Sequence, residues 1–452
     1  MQVTAIHWFR RDLRLADNPA LLAAAASGDV VGVFVIDDRL WRGTGTPRHA
    51  YLLRSLAALG AATGGALVVR CGDPTAVLTA LARDVGASDV HVAASYEPWG
   101  RRRDDAVERS LATCGVRLVR TGSPYAVAPG RLSTRTGTPF QVFTPFRTAW
   151  LDHGWRAPAE LADTVRWVRP GPDDPLPPTP DLGGLTLPPA GEAAALARWA
   201  EMVRTTLDDY ATDRDRPDRD GTSRLSTALT WGEIHPRTLL ADLARRTGSG
   251  SSTFRGQLAW RDFHADVLFH HPDAATRSLR GVIPDDAWAS GATAQTALAR
   301  WAAGRTGYPL VDAGMRQLSG EGWMHNRVRM VVASFLVKDL HVRWQDGARH
   351  FMRWLTDADV AQNQLNWQWV AGTGRDAAQY VRVLNPVVQG LRFDPDGAYV
   401  RRWVPELRAI PGRAVHEPWT LPTGAAPEYP ARIVDHAVER QVALDAYARG
   451  RA

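Results

Sequence analysis

At 452 residues and 45% hydrophobic content, the chain exceeds what one core usually serves and carries enough apolar surface to bury two. Its 54 Lys+Arg against 48 Asp+Glu leave +6, and Lys338 is the sole lysine, so the positive charge rests on guanidinium groups, which suit a polyanionic partner and equally follow from codon bias. Two cysteines, Cys71 and Cys114, exclude a disulfide framework and a cysteine-built metal centre. No apolar run approaches the roughly 18 residues of a membrane span, and no charged-then-apolar leader precedes Val3, so a cytoplasmic protein is expected. Tryptophan, usually the rarest side chain, occurs 18 times against 9 tyrosines, and several indoles stand beside polar motif residues.

In chain order, VTAIHWF, VVGVFVI, ALVVR, DVHVAA and VRLVR are short β-rich runs, separated by the helical patterns PALLAAAA, PRHAYLLRSLAAL, PTAVLTALARDV and RDDAVERSLATC. This alternation predicts βαβ crossovers and a parallel sheet covered on both faces, a Rossmann-like α/β domain over residues 1–128. GxGxxG and GxxxxGK[ST] are absent, so a ligand here is expected at the carboxyl edge of the strands rather than in a standard dinucleotide or P-loop site. After the first strand, RRDLRLADN crowds Arg10, Arg11, Asp12, Arg14 and Asp17, which reads as a solvated ion-pair cluster or as a structural or ligand-binding one. Residues 129–191 read as an extended connector, because proline density from Leu161 to Pro189 forbids helix interiors and central strands. From residue 192 to 452 helical periodicity dominates, which predicts a mainly α-helical second domain.

Four stretches carry residue types suited to chemistry. GTSRLSTALTWGE sets Thr222, Ser223, Arg224, Leu225 and Ser226 ahead of a helix, either as an anion site fit for a pyrophosphate or as an N-cap box with a surface arginine. LAWRDFH sets Trp260, Arg261 and His264 one turn after Gln257, suited to stacking on a base or to a buried Trp with a surface Arg. GRTGYPLVDAGMRQL, with Arg305, Tyr308, Asp312 and Arg316, demands a tight turn and a helix. In residues 322–370, Trp323, Asn326, Arg327, Met330 and Ser334 form a polar stripe beside Val331, Val332, Phe335 and Leu336, Asp359 suits an N-cap, and Asn363 and Trp367 share a helical face while Trp369 points elsewhere. Thirteen histidines show no ligand spacing, so no metal is assigned, and no Ser-His-Asp pattern or GxSxG occurs.

Together, WFRRDLRLADNPAL, GTSRLS, AWRDF, GRTGYPLVDAGMRQL, GWMHNRVRM, ASFLVKDL, WQWVAGTG, YVRVLNPVVQG and HEPW resemble the photolyase and cryptochrome flavoprotein family, and within it the bacterial class I cyclobutane pyrimidine dimer photolyases. The resemblance implies an α/β antenna-chromophore domain, then a helical FAD-binding catalytic domain. It also implies that Tyr210 and residues Thr222 to Ser226 hold the FAD phosphates, that Asp357 and Asp359 meet the adenosine and flavin, and that Asn363 faces flavin N5. A neutral amide there accepts a bond from N5–H of the reduced flavin and favours the neutral semiquinone and the hydroquinone. The lesion, flipped out of DNA at a cost of a few kcal/mol, would pack on Trp260 and Trp369 with Gln257, Asn326 and Met330 alongside. Excited FADH⁻ would donate an electron, the dimer would split and the electron would return. Arg214, Arg261, Arg327, Arg382 and Gln389 would contact DNA, and Trp367, Trp344 and Trp288 would relay electrons to oxidised flavin, Trp288 standing in for a family Trp where this chain has Gly291.

Two departures qualify the match. Gln257 stands where dimer photolyases usually carry Glu and where (6-4) photolyases carry Gln, while MHNR keeps the dimer-type Asn326. YEPWGRRRD resembles the string of deazaflavin binders, so the expected antenna is 8-hydroxy-5-deazaflavin on Arg48 and Glu97, with folate or an empty site as alternatives. The expected protein is a monomer acting on pyrimidine dimers in double- or single-stranded DNA. Its alternatives are a cryptochrome-like photoreceptor, a (6-4) photolyase, or a nucleic-acid binder of other activity.

Overall fold

A computed structural model describes residues 4–160, 165–375 and 382–450. Val3, Tyr380 and Val381, which open two of the strings above, lie outside them. The chain forms two compact units, one of Met1–Gly183, Leu187–Asp208 and Ser223–Pro272, the other of Gly184–Thr186, Asp209–Thr222 and Asp273–Ala452.

In the first unit all five expected strands form: β1 (Thr4–Phe9), β2 (Asp29–Ile36), β3 (Val68–Cys71), β4 (Asp89–Val92) and β5 (Arg117–Arg120). They pair in parallel in the order β3-β2-β1-β4-β5, with Ile6 opposite Val31 and Val90. Ile6, Trp8, Val33 and Val90 pack one face against Leu78 and Val107, while Phe9, Phe34 and Val69 pack the other against Leu52 and Leu56. Burial on both faces is why the strands read as nearly unbroken apolar runs. Asn18 and Asp73 start helices by accepting from Leu21 N and Thr75 N, each followed by proline at the first helical position.

RRDLRLADN is not a solvated cluster. Asp12, Arg14 and Asp17 are buried, and Asp17 Oδ1 accepts from Arg237 at 2.5 Å and from Ala159 N at 2.7 Å. The expected connector also differs from a plain extended strap. Phe143–His153 is a helix, because Phe146 and Trp150 bury a face against the helix Ser249–His270. Further on, Asp173 and Asp174 accept from Val69 N (2.8 Å) and Cys71 N (2.9 Å), which covers the open edge of β3. Helices Glu192–Thr205, Ser226–Trp231, Pro236–Ala244 and Ser249–His270 belong to this sheet-containing unit. Glu233 ties them in, taking Tyr51 Oη and Ser55 Oγ at 2.6 Å and Gly191 N at 2.7 Å.

The second unit is mainly helical. Its core runs along Asn326–Lys338, where Val328, Val331, Val332, Phe335 and Leu336 are all fully buried, as the apolar band predicts. Trp323 precedes that helix and Ser334 is buried, so the polar stripe is Asn326, Arg327 and Met330. Trp344–Trp354 and Val360–Ala371 pack on it and on each other, and Gly347 makes the approach possible: a Cβ there would meet Trp367 Cη2 at 2.2 Å and Leu336 Cδ2 at 2.6 Å. GRTGYPLVDAGMRQL forms the expected turn and helix, with buried Asp312 accepting from Thr306 N (2.7 Å), Gly307 N (3.0 Å) and Tyr429 Oη (2.6 Å). Among the described residues no helix is long and apolar enough to cross a membrane.

Candidate functional site

The helix Val360–Ala371 carries the densest set of expected residues. Asp359 caps it, accepting from Gln362 N at 3.0 Å, as its position predicts. Asn363 follows one turn later and is buried. Its Nδ2 donates to Ala348 O and to Gln364 Oε1, both at 3.0 Å, so among the described residues Oδ1 is the end of the amide left open as an acceptor. Trp367 lies a further turn along, 2% exposed, with a buried Nε1 that has no hydrogen-bond partner among the described residues. Its ring meets Phe351 at 5.0 Å and Trp301 at 6.2 Å between centroids. Trp369 is half-buried at the margin of the same core.

Around this helix, Asp357 is held by the two terminal guanidinium nitrogens of Arg329, at 3.1 and 2.8 Å. Trp344 is buried and donates from Nε1 to Ser278 Oγ at 3.0 Å. Trp288 is half-buried under Arg343, whose guanidinium carbon lies 5.8 Å from its ring centroid, and Ala289 N donates to His341 O at 2.8 Å. Asn326 is exposed and Met330 half-buried on the 326–338 helix. Arg327 pairs with Asp215 at 2.8 Å and lies over Phe393 at 4.3 Å. Arg214 follows the short helix Tyr210–Asp213, and Tyr210 is buried, which pushes its hydroxyl pKa up. Arg382 is exposed, and Gln389 lies on Pro386–Phe393.

The first unit holds the others. On the 249–270 helix, Gln257 and Trp260 share a partly exposed face, and Phe143 stacks on Trp260 at 3.6 Å and 11°. Arg261 is a correction to the expected DNA contacts: it is buried, donating to Pro124 O (2.7 Å) and Leu229 O (3.1 Å) with its guanidinium over Tyr125. Asp262 beside it accepts from Val127 N and Trp150 Nε1, both at 2.9 Å, and burial pushes its pKa up to about 6. GTSRLS is divided, Thr222 falling in the second unit and Ser223 to Ser226 in the first. The N-cap position of the helix that starts at Ser226 is Leu225, and Ser223 Oγ accepts from Leu225 N at 3.3 Å. Arg224 adopts a left-handed backbone, φ 52°, unusual for a side chain with a Cβ. Glu97 is ion-paired with Arg11, and the Arg48 guanidinium lies 5.0 Å from the Trp231 ring centroid.

Sequence reasoning missed three participants. Phe143 lies 117 positions from its stacking partner (260 minus 143). The Ala348 carbonyl is a backbone group common to every residue, and Arg329 was hidden behind Arg327 in the same motif. The arrangement fits a flavin: an open amide oxygen and an orphaned buried indole N–H stand one turn apart on one helical face, and an arginine is paired with the neighbouring carboxylate.

Residues 5–163 match the family model for DNA photolyase, and residues 254–449 match that for the FAD binding domain of DNA photolyase. Deoxyribodipyrimidine photo-lyase of Streptomyces griseus is 44% identical over 96% of this chain and 97% of its own. Three solved structures share the fold. A bacterial class III photolyase from Agrobacterium tumefaciens has TM-score 0.91 at 37% identity, covering 100% of this chain and 98% of its own. The cryptochrome of Synechocystis sp. PCC6803 has TM-score 0.87 at 28% identity, covering 98% and 99%. An archaeal photolyase from Sulfolobus tokodaii, solved with two FAD molecules, has TM-score 0.83 at 28% identity, covering 99% and 100%. Sheet, helical half and these matches therefore define the photolyase and cryptochrome class of flavoproteins. The chain belongs to the DNA photolyase family and carries its FAD-binding domain.

Proposed function

We propose that this protein is a light-driven repair enzyme that splits cyclobutane pyrimidine dimers in DNA, with FAD as its cofactor. The observation that carries the reading is Asn363, whose amide is tied back through Nδ2 and presents Oδ1, in a chain 44% identical to a deoxyribodipyrimidine photo-lyase. Reduced FAD supplies, under light, the electron that opens the cyclobutane ring. The protein's part is to bind, orient and exclude water. Asn363 Oδ1 accepts from flavin N5–H, Asp357 and Asp359 serve the adenosine and flavin, and Tyr210 with residues Thr222 to Ser226 serves the phosphates. In the first unit Gln257 and Trp260 meet the lesion. In the second, Trp369, Asn326 and Met330 do so, while Arg214, Arg327, Arg382 and Gln389 meet the DNA. Trp367, Trp344 and Trp288 relay electrons to oxidised flavin.

We assign residues 1–128 to an antenna chromophore and 192–452 to FAD and catalysis, with 129–191 between them, in a cytoplasmic monomer. The antenna proposed is 8-hydroxy-5-deazaflavin on Arg48 and Glu97. The two FAD molecules of the Sulfolobus tokodaii protein favour a second reading, FAD itself, and mass spectrometry of the extracted chromophore separates them. The strings quoted above, taken together, support class I, whereas the likeness to the class III photolyase from Agrobacterium tumefaciens favours class III. The deciding experiment illuminates chemically reduced protein with oligonucleotides bearing either a cyclobutane dimer or a (6-4) product. Repair of the dimer alone is expected, and repair of the (6-4) product alone would overturn the reading.

A further inference from the structure

We infer that Gln364 is a positioning residue that fixes which end of the Asn363 amide faces outward. The inference rests on the proposed flavin role of Asn363. The two ends of an asparagine amide have nearly the same shape and differ in hydrogen bonding, so neighbours alone decide its orientation. Here Nδ2 has two acceptors, Ala348 O and Gln364 Oε1, each at 3.0 Å. Turning the amide over would break both bonds and set Oδ1 against two oxygens. With the carbonyl alone, turning it over breaks one.

Gln364 can serve as a reference because it is itself anchored. Its Nε2 donates to Ala275 O at 2.9 Å, which leaves Oε1 directed to Asn363. One turn further, Gln368 Nε2 donates to Ala274 O (2.9 Å) and Arg277 O (3.1 Å), and its Oε1 accepts from Leu279 N (2.8 Å). The two glutamines thus bind the 274–279 segment to the 360–371 helix and keep the Ala275 carbonyl in place. The donors all run one way, from Asn363 to Gln364 and from Gln364 to Ala275, and the acceptor end of the relay is Asn363 Oδ1. An acceptor at N5–H favours reduced flavin, whereas a donor at the same position favours oxidised flavin, so losing the lock lowers the reduction potential.

The test is spectroelectrochemical titration of the flavin-loaded parent, Gln364→Leu, Asn363→Ala and the double variant. Gln364→Met, matched in length, replaces Gln364→Leu if the latter does not accumulate. Gln364→Leu is expected to shift the oxidised-to-reduced ratio about tenfold toward oxidised, about 30 mV for a two-electron couple. The shift should vanish in the Asn363→Ala background, since a residue acting through another has no effect once that partner is gone. An equal shift in both backgrounds, or a parent-like Gln364→Leu beside a shifted Asn363→Ala, would overturn the role of Gln364 and leave the flavin reading standing. If no variant moves the potential, the flavin reading of Asn363 falls with it.

Discussion

Asp262 shows how a residue within the LAWRDFH motif answers to its own surroundings. It is 2% exposed, Oδ2 accepts from Val127 N and Trp150 Nε1, and burial raises its pKa from 3.8 to about 6. The native state therefore binds this proton more tightly than the unfolded chain, so the contribution of Asp262 to stability is largest below pH of about 4, falls as pH rises toward about 6 and stays lower above it. Two pKa units amount to about 3 kcal/mol. Asp262→Asn keeps an acceptor for both donors and carries no charge. Denaturant unfolding should show the variant gaining about 3 kcal/mol on the parent between pH of about 4 and about 7, and parallel pH curves would refute the buried proton. Trp367 gives a second residue-scale expectation. Its Nε1 has no partner among the described residues, so Trp367→Phe breaks no hydrogen bond there and should cost stability only through a small cavity, about 1–2 kcal/mol. The variant should photoreduce its flavin more slowly yet still repair after chemical reduction, and equal loss of both activities would make Trp367 structural.

At the scale of elements, contact between the 344–354 and 360–371 helices underlies the site, since it brings the Ala348 carbonyl to Asn363. Gly347 permits it. In Gly347→Val, the gain in helix propensity is below about 1 kcal/mol, whereas a side chain driven into Trp367 and Leu336 costs about 3 kcal/mol, so the clash wins. The variant should melt earlier and retain less flavin. An unchanged melting temperature with full flavin content would mean that the helices pack otherwise. The 249–270 helix shows a different division of labour. Gln257 and Trp260 occupy its partly exposed face, while Arg261, Asp262 and His264 are buried. The eight residues QLAWRDFH thus supply both a partly exposed face, the one proposed to meet the lesion, and a buried structural one.

For the whole molecule, a net charge of +6 carried almost entirely by arginine makes DNA binding sensitive to ionic strength. With Arg261 committed to carbonyls, three guanidiniums remain of those first expected at DNA: Arg214, Arg327 and Arg382. Each neutralised phosphate contributes about 0.9 to the slope of log K against log salt, so three imply a loss of roughly 40-fold in affinity from about 50 to about 200 mM salt. Fluorescence anisotropy with dimer-bearing DNA measures this directly, and an affinity indifferent to salt would remove these residues from the interface.

The amino-acid sequence by itself determined the five parallel strands, the helical second half, the Asp359 cap and the family, because periodicity, capping and short motifs are each written within a few neighbouring residues. It also indicated Asn363 and Trp367 as a pair, since they stand four apart on one helix. Only the tertiary structure decided that Arg261 serves the core, that Phe143 lies on Trp260, that the RRDLRLADN charges are buried, and that Ala348 and Gln364 turn the Asn363 amide. Those outcomes depend on carbonyls and rings brought together from distant positions. A backbone carbonyl has no letter in the sequence, and an arginine reads the same whether it meets a phosphate or a peptide oxygen.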